Sequence, residues 1–456
     1  MTNNRTQKVV KKIISPIAAF MALETASGIF LLVCTAIAMT LANSPWSDVY
    51  EHLTHLNIGL TVGPLRIEKS LLHWVNDGLM AIFFFVVGLE IKRELLFGEL
   101  ANTRKAALPL LAAVGGMVGP ALLYLLFNRE GVASRGWGVP MATDIAFAVG
   151  ILTILGQRVP FALKIFLLAL AIVDDLGAVL VIAFFYTEQI SGPALGFVAA
   201  VLVLIAILRR ADIRHLLPYI VLGVMAWAGI LASGIHATIA GVLLGFMTPA
   251  TALYNKGVLV RRITELSERL VASIQDEKVQ RADELGAATK DVLHDLHHIS
   301  NEAHAPLDRL IHTLHPWVSF FIMPVFALLN AGVAVKGVSL ELLASNSIAQ
   351  GVTFGLFLGK PLGIVLACWL AIRLKIADLP KGVNWSQLWG AGFLGGIGFT
   401  MALFVSGLAL GDTGLEIYSK LAILVASSCA ALVGLVILFL ASPATVTKSV
   451  NGTAQE

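Results

Sequence analysis

Apolar residues occur in long runs along the whole chain, separated by clusters of charge, Pro and Gly. Each run has about 20 residues, enough for a helix to cross a hydrocarbon layer about 30 Å thick. Twelve runs occur, at 17–41, 71–90, 106–127, 138–155, 161–186, 193–208, 215–233, 235–251, 314–334, 348–372, 388–410 and 418–441. The pattern predicts an all-α polytopic membrane protein with about 12 transmembrane helices.

Two connections between these spans are longer than tight turns. Alternating apolar and polar residues at 55–69, around Gly63-Pro64, predict a small ribbon on the outer face that is suited to homodimer contact. The stretch 253–313, between spans eight and nine, has apolar residues at helical spacing among many charges. It predicts an extended cytoplasmic loop of amphipathic helices. We interpret residues 1–456 as a single transmembrane domain with this loop.

The composition agrees with a membrane protein, because 57% of the residues are hydrophobic and only 13% are charged. The balance of 32 basic and 29 acidic residues gives no sign of a nucleic-acid partner. If the N-terminus is inside, the outward connections hold few basic residues, namely Arg66, Lys69, Arg129, Arg135, Lys336 and Lys420. Since cytoplasmic loops are rich in Lys and Arg, both termini are predicted to be cytoplasmic.

Four ionisable residues stand out inside the predicted spans. Asp174 and Asp175 lie at the middle of span five, Lys360 at the middle of span ten, and Asp144 in span four. Each charge costs about 2.5–3.5 kcal/mol at the membrane centre on the insertion scale, which indicates a functional role. Adjacent helical residues point about 100° apart. One aspartate of the pair can therefore face Lys360, while the other joins Asp144 in an oxygen site for a small hard cation.

Such a site binds either a cation or protons, because both compete for the same carboxylate oxygens. If it opens to each side of the membrane in turn, the two movements are coupled. This mechanism requires neither a nucleotide nor another cofactor. A proton-coupled carrier of organic solutes remains an alternative, and so does an intramembrane aspartyl protease with Asp144 and Asp175 as its dyad.

Two spans are predicted to be interrupted helices. Span four carries Pro140, Thr143 and Asp144 at its middle, and span eleven is rich in glycine between 392 and 398. Interruptions at corresponding places in two halves indicate inverted repeats around a transporter's binding site, here spans 3–5 and 10–12. The partial charges of the half-helix ends can be compensated by residues such as Asp144 and Lys360.

Several sequence segments resemble signatures of the NhaA family of sodium/proton antiporters. The segment 75–94 (VNDGLMAIFFFVVGLEIKRE) is similar to the second-helix signature of that family. Further matches are ATDIAF at 142–147, IVDDLG at 172–177, HPW at 315–317, GKP at 359–361 and GFTM at 398–401. The resemblance covers nearly the whole chain apart from the tails and 253–305.

The resemblance implies the roles of particular residues. Asp174, Asp175, Asp144 and Thr143 would form the sodium and proton site, with Asp175 as principal ligand and Lys360 paired with Asp174 when the site is empty. The residues implied for the ion entrance and the pH response are Asp77, Glu90, Glu94 and His236. The family exchanges two H⁺ inward for one Na⁺ or Li⁺ outward across the bacterial inner membrane, which implies an electrogenic antiporter, activated at alkaline pH, for pH and sodium homeostasis.

The chain departs from the family pattern around the cytoplasmic loop. The loop is tens of residues longer than expected, and Ile311 precedes His312 where the family commonly has an acidic residue. We hypothesise that the additional helices adjust activation through their histidines and acidic face.

Overall fold

The computed structural model describes residues 24–62, 65–187, 190–211, 216–251, 256–276, 289–296, 305–335 and 338–442. Within these ranges the regular structure is helical except for one two-stranded sheet. The predicted all-α class is therefore confirmed.

The first half of the chain contains helices α1 (Glu24–Ala42), α2 (Ser47–Thr54), α3 (Leu71–Phe97), α4 (Thr103–Phe127), α5 (Ile145–Ile154), α6 (Phe161–Phe185) and α7 (Gly192–Arg210). The second half contains α8 (Leu216–Ala232), α9 (Thr238–Met247), α10 (Lys256–Asp276), α11 (Pro306–Asn330), α12 (Leu340–Ser345), α13 (Ser347–Arg373), α14 (Trp385–Gly395), α15 (Phe399–Leu410) and α16 (Glu416–Ala441). Single π-helical turns interrupt α3, α11 and α13 at Val75–Leu79, Val318–Ile322 and Gly355–Gly359.

Helical segments occur at each of the twelve predicted spans, although 17–23 of span one and residue 215 of span seven lie outside the described residues. Eight helical segments are long and apolar enough to cross a membrane, and two bent pairs, α1 with α2 and α14 with α15, add two more. The shorter apolar helices α8 and α9 supply the remaining two. Two boundaries were predicted too short, since α3 continues to Phe97 and α11 begins at Pro306. Backbone hydrogen bonds continue a helix past its apolar part, and hydropathy alone does not detect this.

The interruption in span four is confirmed. A 3-10 helix at Val132–Met141 is followed by three non-helical residues and then by α5. Asp144 precedes α5 in an extended conformation, and its side chain accepts a hydrogen bond from the Phe147 N–H. This N-cap favours a new helix start at this point, just after Pro140, which cannot donate a backbone hydrogen bond.

The interruption in span eleven is also confirmed. Helix α14 ends at Gly395, α15 begins at Phe399, and the two are bent by 44°. Glycine at 395, 396 and 398 makes a continuous helix less stable and allows neighbouring backbone to approach closely.

The predicted repeats have corresponding packing. Helix α4 packs against α6 and against the 3-10 helix of span four, while α13 packs against α16 and against α14. Helices α4 and α13 also pack on each other, with Gly115 opposite Gly363 and Gly119 opposite Gly359. This antiparallel pairing of the first helix in each triplet is the arrangement that an inverted relation requires.

Residues 57–62 and 65–70 form the two strands of the predicted ribbon, and 63–64 lie outside the described residues. Strands β1 (Asn57–Val62) and β2 (Leu65–Ser70) are antiparallel, with Asn57 opposite Ser70. At the base of the hairpin, the Leu71 N–H donates to the Leu56 carbonyl at 2.9 Å. The hairpin therefore leaves the chain and returns to it at nearly the same point.

The long loop also begins and ends at neighbouring points. The Leu307 N–H donates to the Pro249 carbonyl at 3.1 Å. Between these residues lie the mostly exposed helix α10 and a second helical stretch at 289–296. These two stretches are helical, while 252–255, 277–288 and 297–304 lie outside the described residues.

Candidate ion site

The two interrupted helices cross at their non-helical segments. The Asp144 N–H donates to the Ile397 carbonyl at 2.6 Å, and the Thr143 hydroxyl donates to the Gly395 carbonyl at 2.8 Å. Backbone groups that the helix breaks leave unpaired therefore find partners across the crossing. Asp144, Asp174 and Asp175 are each 1% exposed, and Lys360 is fully buried.

Lys360 lies between a carboxylate and a backbone carbonyl. Its Nζ is 2.6 Å from Asp174 Oδ2, and it also donates to the Met141 carbonyl. Met141 ends the 3-10 helix of span four, where the carbonyl groups carry partial negative charge. The ammonium group thus compensates both a buried carboxylate and a half-helix end.

Close packing places Lys360 at this position. The π-helical turn Gly355–Gly359 directly precedes it and lies against two prolines. A Cβ atom on Gly355 would be 2.7 Å from Pro140 Cβ, and one on Gly359 would be 2.7 Å from Pro120 Cα. Larger residues at either glycine would therefore push Lys360 away from the crossing.

Asp144 receives hydrogen bonds from the N-terminal ends of both half-helices. Oδ1 accepts from the Phe147 N–H of α5 at 3.2 Å. Oδ2 accepts from the Thr400 N–H of α15 at 3.1 Å and from the Thr400 hydroxyl. Helix N-termini carry partial positive charge, so one carboxylate compensates two of them. Sequence reasoning did not include Thr400 in the site, although the residue directly follows the glycine-rich break.

Asp174 and Asp175 have different surroundings, as expected for adjacent residues on a helix. Asp174 contacts Lys360 through Oδ2, but its Oδ1 makes no hydrogen bond within the part of the chain that the structure describes. Oδ1 of Asp175 is likewise buried without a partner. Buried polar oxygens are normally hydrogen-bonded, because leaving them unpaired is costly. These two oxygens are the vacant acceptors of the site and can take a cation or a proton.

The described residues contain no group of three or more His, Cys, Asp or Glu side chains arranged to hold a metal ion. The three aspartates therefore do not form a closed metal cage in this conformation. A sodium ion bound here would also need hydroxyl and carbonyl oxygens, and Thr143 supplies one hydroxyl at the crossing.

The residues implied for the ion entrance and the pH response lie near opposite ends of α3, with Asp77, Glu90 and Glu94 on that helix and His236 just before α9. Asp77 and Glu90 are 13 residues apart in sequence, which corresponds to about 20 Å along a helix. At the hairpin end, Asp77 Oδ2 is 2.6 Å from Lys69 Nζ, and Asp77 Oδ1 is 3.7 Å from His236 Nε2. The structure thus joins Asp77 and His236 and connects both to the hairpin.

Glu90 and Glu94 lie near the other end of α3. Glu90 Oε1 is 3.7 Å from His315 Nδ1, and Glu94 Oε2 accepts a hydrogen bond from the Glu99 N–H at 3.2 Å. The neighbouring Ile311 is buried in an apolar cluster with Leu89 and Leu307. An apolar contact therefore occupies the position where the family commonly has an acidic residue.

Two basic residues that the sequence did not single out bind the C-terminal end of α9. Lys92 Nζ donates to the carbonyls of Phe246 and Thr248 at 2.7 and 2.5 Å, and Arg209 donates to the Met247 carbonyl at 3.1 Å. Cations stabilise helix C-termini, where carbonyls lack partners within the helix. These contacts connect α3, α7 and α9 near Glu90.

Comparison with known proteins places the chain in a family. A family model described as "Na+/H+ antiporter 1" matches residues 18–438. The chain is 45% identical to a Na(+)/H(+) antiporter NhaA of Rhodopirellula baltica, covering 94% of both chains. It is 48% identical to one of Acidithiobacillus ferrooxidans over 93% of this chain and 97% of the relative. A relative named NhaA 2 in Myxococcus xanthus is 49% identical over 92% of this chain and 88% of its own. The chain is a multi-pass membrane protein that belongs to the NhaA family of sodium/proton antiporters.

Proposed function

We propose that this protein is an electrogenic antiporter that exports Na⁺ or Li⁺ and imports two H⁺ per cation. The observation that carries the proposal is the pair of vacant, buried carboxylate oxygens on Asp174 and Asp175 beside Lys360. In this assignment Asp174, Asp175, Asp144 and Thr143 bind the cation, and Asp175 is its principal ligand.

Competition between cation and proton follows from the chemistry of these oxygens. Na⁺ is a hard cation that prefers carboxylate, hydroxyl and carbonyl oxygens. Protonation removes the negative charge that attracts it, and neighbouring carboxylates disfavour simultaneous ionisation. Low pH therefore weakens cation binding, and high pH favours it. This supports activation at alkaline pH.

Lys360 couples the empty and loaded states. Its ammonium group neutralises Asp174 when no cation is bound, and a bound cation would replace it there. With two protons exchanged for one cation, each cycle moves one elementary charge. The membrane potential contributes about 2.3 kcal/mol per charge at 100 mV, so it drives export even without a pH gradient.

The remaining parts of the proposal concern location and assembly. The protein would lie in the bacterial inner membrane with both termini in the cytoplasm, the hairpin 57–70 outside and α10 inside. Two copies would associate through the hairpins as a homodimer. Asp77 and His236 would then act at the outer end of the ion path, and Glu90 and Glu94 at the inner entrance, where pH is sensed.

The experiment that tests the function is dissipation of a pH gradient by Na⁺ or Li⁺ in everted membrane vesicles between pH 6.5 and 9. Wild-type protein should collapse the gradient, and Asp175→Asn should not. The matched control is Asp378→Asn, which removes an exposed carboxylate between α13 and α14 and should behave as wild type. If the wild type gives no response at any pH, the proposed substrate is wrong.

A further inference from the structure

The 3-10 helix of span four is held by two tyrosine hydroxyls. Tyr186, just after α6, donates to the Arg135 carbonyl at 2.7 Å and accepts from the Gly138 N–H at 3.3 Å. Tyr124 of α4 donates to the Ala133 carbonyl at 2.7 Å. The Tyr124 hydroxyl therefore binds the beginning of the 3-10 helix, and the Tyr186 hydroxyl binds its middle.

Glycines make room for these hydroxyls. A Cβ atom on Gly138 would lie 2.7 Å from the Tyr186 hydroxyl oxygen, and one on Gly136 would lie 2.9 Å from Tyr124 Cζ. Any side chain at either position would displace a tyrosine. Gly136 and Gly138 thus leave space for the tyrosine rings in addition to interrupting the helix.

The anchored segment ends at the carbonyl that binds Lys360. Met141 follows Gly138 by three residues, about 6 Å along a 3-10 helix. Ten-residue 3-10 helices are uncommon because their hydrogen bonds have poor geometry, so external bonds contribute much to the position of this one. The two tyrosines extend from helices on either side of the site, since α6 carries Asp174 and α4 packs against α13, which carries Lys360.

We propose that Tyr186, together with Tyr124, is a positioning residue that fixes the Met141 carbonyl and thereby sets how strongly Lys360 competes with Na⁺ for Asp174. The inference rests on the function proposed above. Lys360 shares its N–H donors between Met141 and Asp174. If the carbonyl moves away, Lys360 turns more fully to Asp174, whose Oδ1 is vacant. Na⁺ must then displace a more firmly bound ammonium group.

The test is the Na⁺ dependence of exchange in vesicles containing Tyr186→Phe, which removes only the hydroxyl. We expect the apparent KM for Na⁺ to rise about three- to tenfold, the range that losing one or two hydrogen bonds gives, with Vmax within about twofold of wild type. Tyr124→Phe should change KM in the same direction. If Tyr186→Phe fails to fold, Tyr124→Phe decides the question alone.

The matched control is Tyr50→Phe. The Tyr50 hydroxyl also donates to a backbone carbonyl, that of Leu328 at 2.7 Å, but it joins α2 to α11, neither of which carries Lys360, Asp174 or Met141. Its loss should leave KM unchanged. A wild-type KM in both Tyr186→Phe and Tyr124→Phe would overturn the inference while leaving the antiporter intact.

A second measurement separates positioning from stability. Na⁺ should raise the melting temperature of the purified protein, and Tyr186→Phe should increase the half-saturating Na⁺ concentration. In a Lys360→Gln background, the same tyrosine substitution should no longer change that concentration, because the competing ammonium group is absent. An equal increase in both backgrounds would show that Tyr186 acts independently of Lys360 and would refute the proposal.

Discussion

Asp144 is bonded to both interrupted helices, which distinguishes it from the two aspartates of α6. Its carboxylate accepts from Phe147 on one side and from Thr400 on the other. Asp174 and Asp175 each retain a vacant oxygen. Asp144 thus contributes negative charge from a fixed position, and the α6 pair provides the oxygens that can exchange partners.

At the residue scale, we predict that Thr400→Ala weakens Na⁺ binding. The substitution removes the hydroxyl bond to Asp144 but retains the backbone N–H bond, so the helix start survives. Hydrogen bonds to charged groups contribute about 1.5–3 kcal/mol, which corresponds to an increase in KM of about tenfold or more. Thr400→Ser retains the hydroxyl and should keep KM near wild type. Equal kinetics for the two variants would contradict this account of Thr400.

The charged residues of the candidate site were predicted from sequence because a buried charge in a membrane is costly and therefore conspicuous. Met141 gave no such signal, since it contributes only a backbone carbonyl that any residue possesses. Tyr124 and Tyr186 were missed because a tyrosine at the end of an apolar run is common in membrane proteins. The backbone groups that these tyrosines bind come within reach only when the 3-10 helix of span four is folded between them.

At the scale of helices, the crossing of α4 and α13 determines the depth at which Lys360 lies. A Cβ atom on Gly119 would be 2.6 Å from the Gly359 carbonyl oxygen and 3.1 Å from Gly363 Cα. Small residues at such crossings let two backbones approach closely in a membrane. The position of the lysine therefore depends on residues in another helix.

We predict that Gly119→Ala destabilises the protein by about 1–3 kcal/mol, the usual cost of overpacking. The added methyl group meets backbone that cannot rotate away, so α13 must shift and carry Lys360 with it. The measurement is thermal unfolding in detergent together with Na⁺-dependent exchange.

The control for Gly119→Ala is Gly196→Ala in α7. A Cβ atom there meets nothing within 4 Å, so the substitution should be neutral or slightly stabilising. A Gly119→Ala protein as stable and as active as the Gly196→Ala protein would show that the crossing tolerates a wider separation than the structure indicates.

The helix breaks were predictable because Pro and Gly act through local backbone chemistry. The 3-10 form of Val132–Met141 and the three π-helical turns were not predicted. Two of them have contacts with distant parts of the chain, namely Tyr186 for the 3-10 helix and Pro120 for the turn at Gly355–Gly359. No local sequence pattern encodes such contacts.

At the scale of the whole molecule, the hairpin and the long loop are attached in the same way. Among the described residues, a backbone hydrogen bond joins the two ends of each, Leu71 to Leu56 for the hairpin and Leu307 to Pro249 for the loop. Either appendage can therefore be shortened without separating the helices that it connects.

We predict that replacing 57–70 by a short Gly-Ser link gives a monomer with unchanged helix content. The Leu56–Leu71 connection remains short, so the adjoining helices can keep their positions. Light scattering of the purified protein measures the assembly. Lys69→Ala is the control, because it breaks the ion pair with Asp77 but leaves the strands paired. A hairpin-less protein that stays dimeric would place the interface elsewhere.

We predict that deleting 258–300 preserves exchange but shifts the pH profile. The segment contains six basic and eight acidic residues. Net negative charge near the inner entrance favours protonated groups, so its removal should let activation begin at lower pH, by about 0.3–0.6 unit for two charges about 10 Å away. Everted vesicles report this shift directly. An unchanged profile would refute the hypothesis that the loop adjusts activation.

The crossing of the interrupted helices also limits how the molecule can move. Bonds from Thr143, Asp144 and Thr400 connect span four to span eleven at one place, deep inside the protein. These bonds act together as one rigid connection, and a motion that turned one span alone would break all of them at once. Both spans can keep these bonds only by moving as one body. The cation site would then travel with its ligands rather than be dismantled and rebuilt in each cycle.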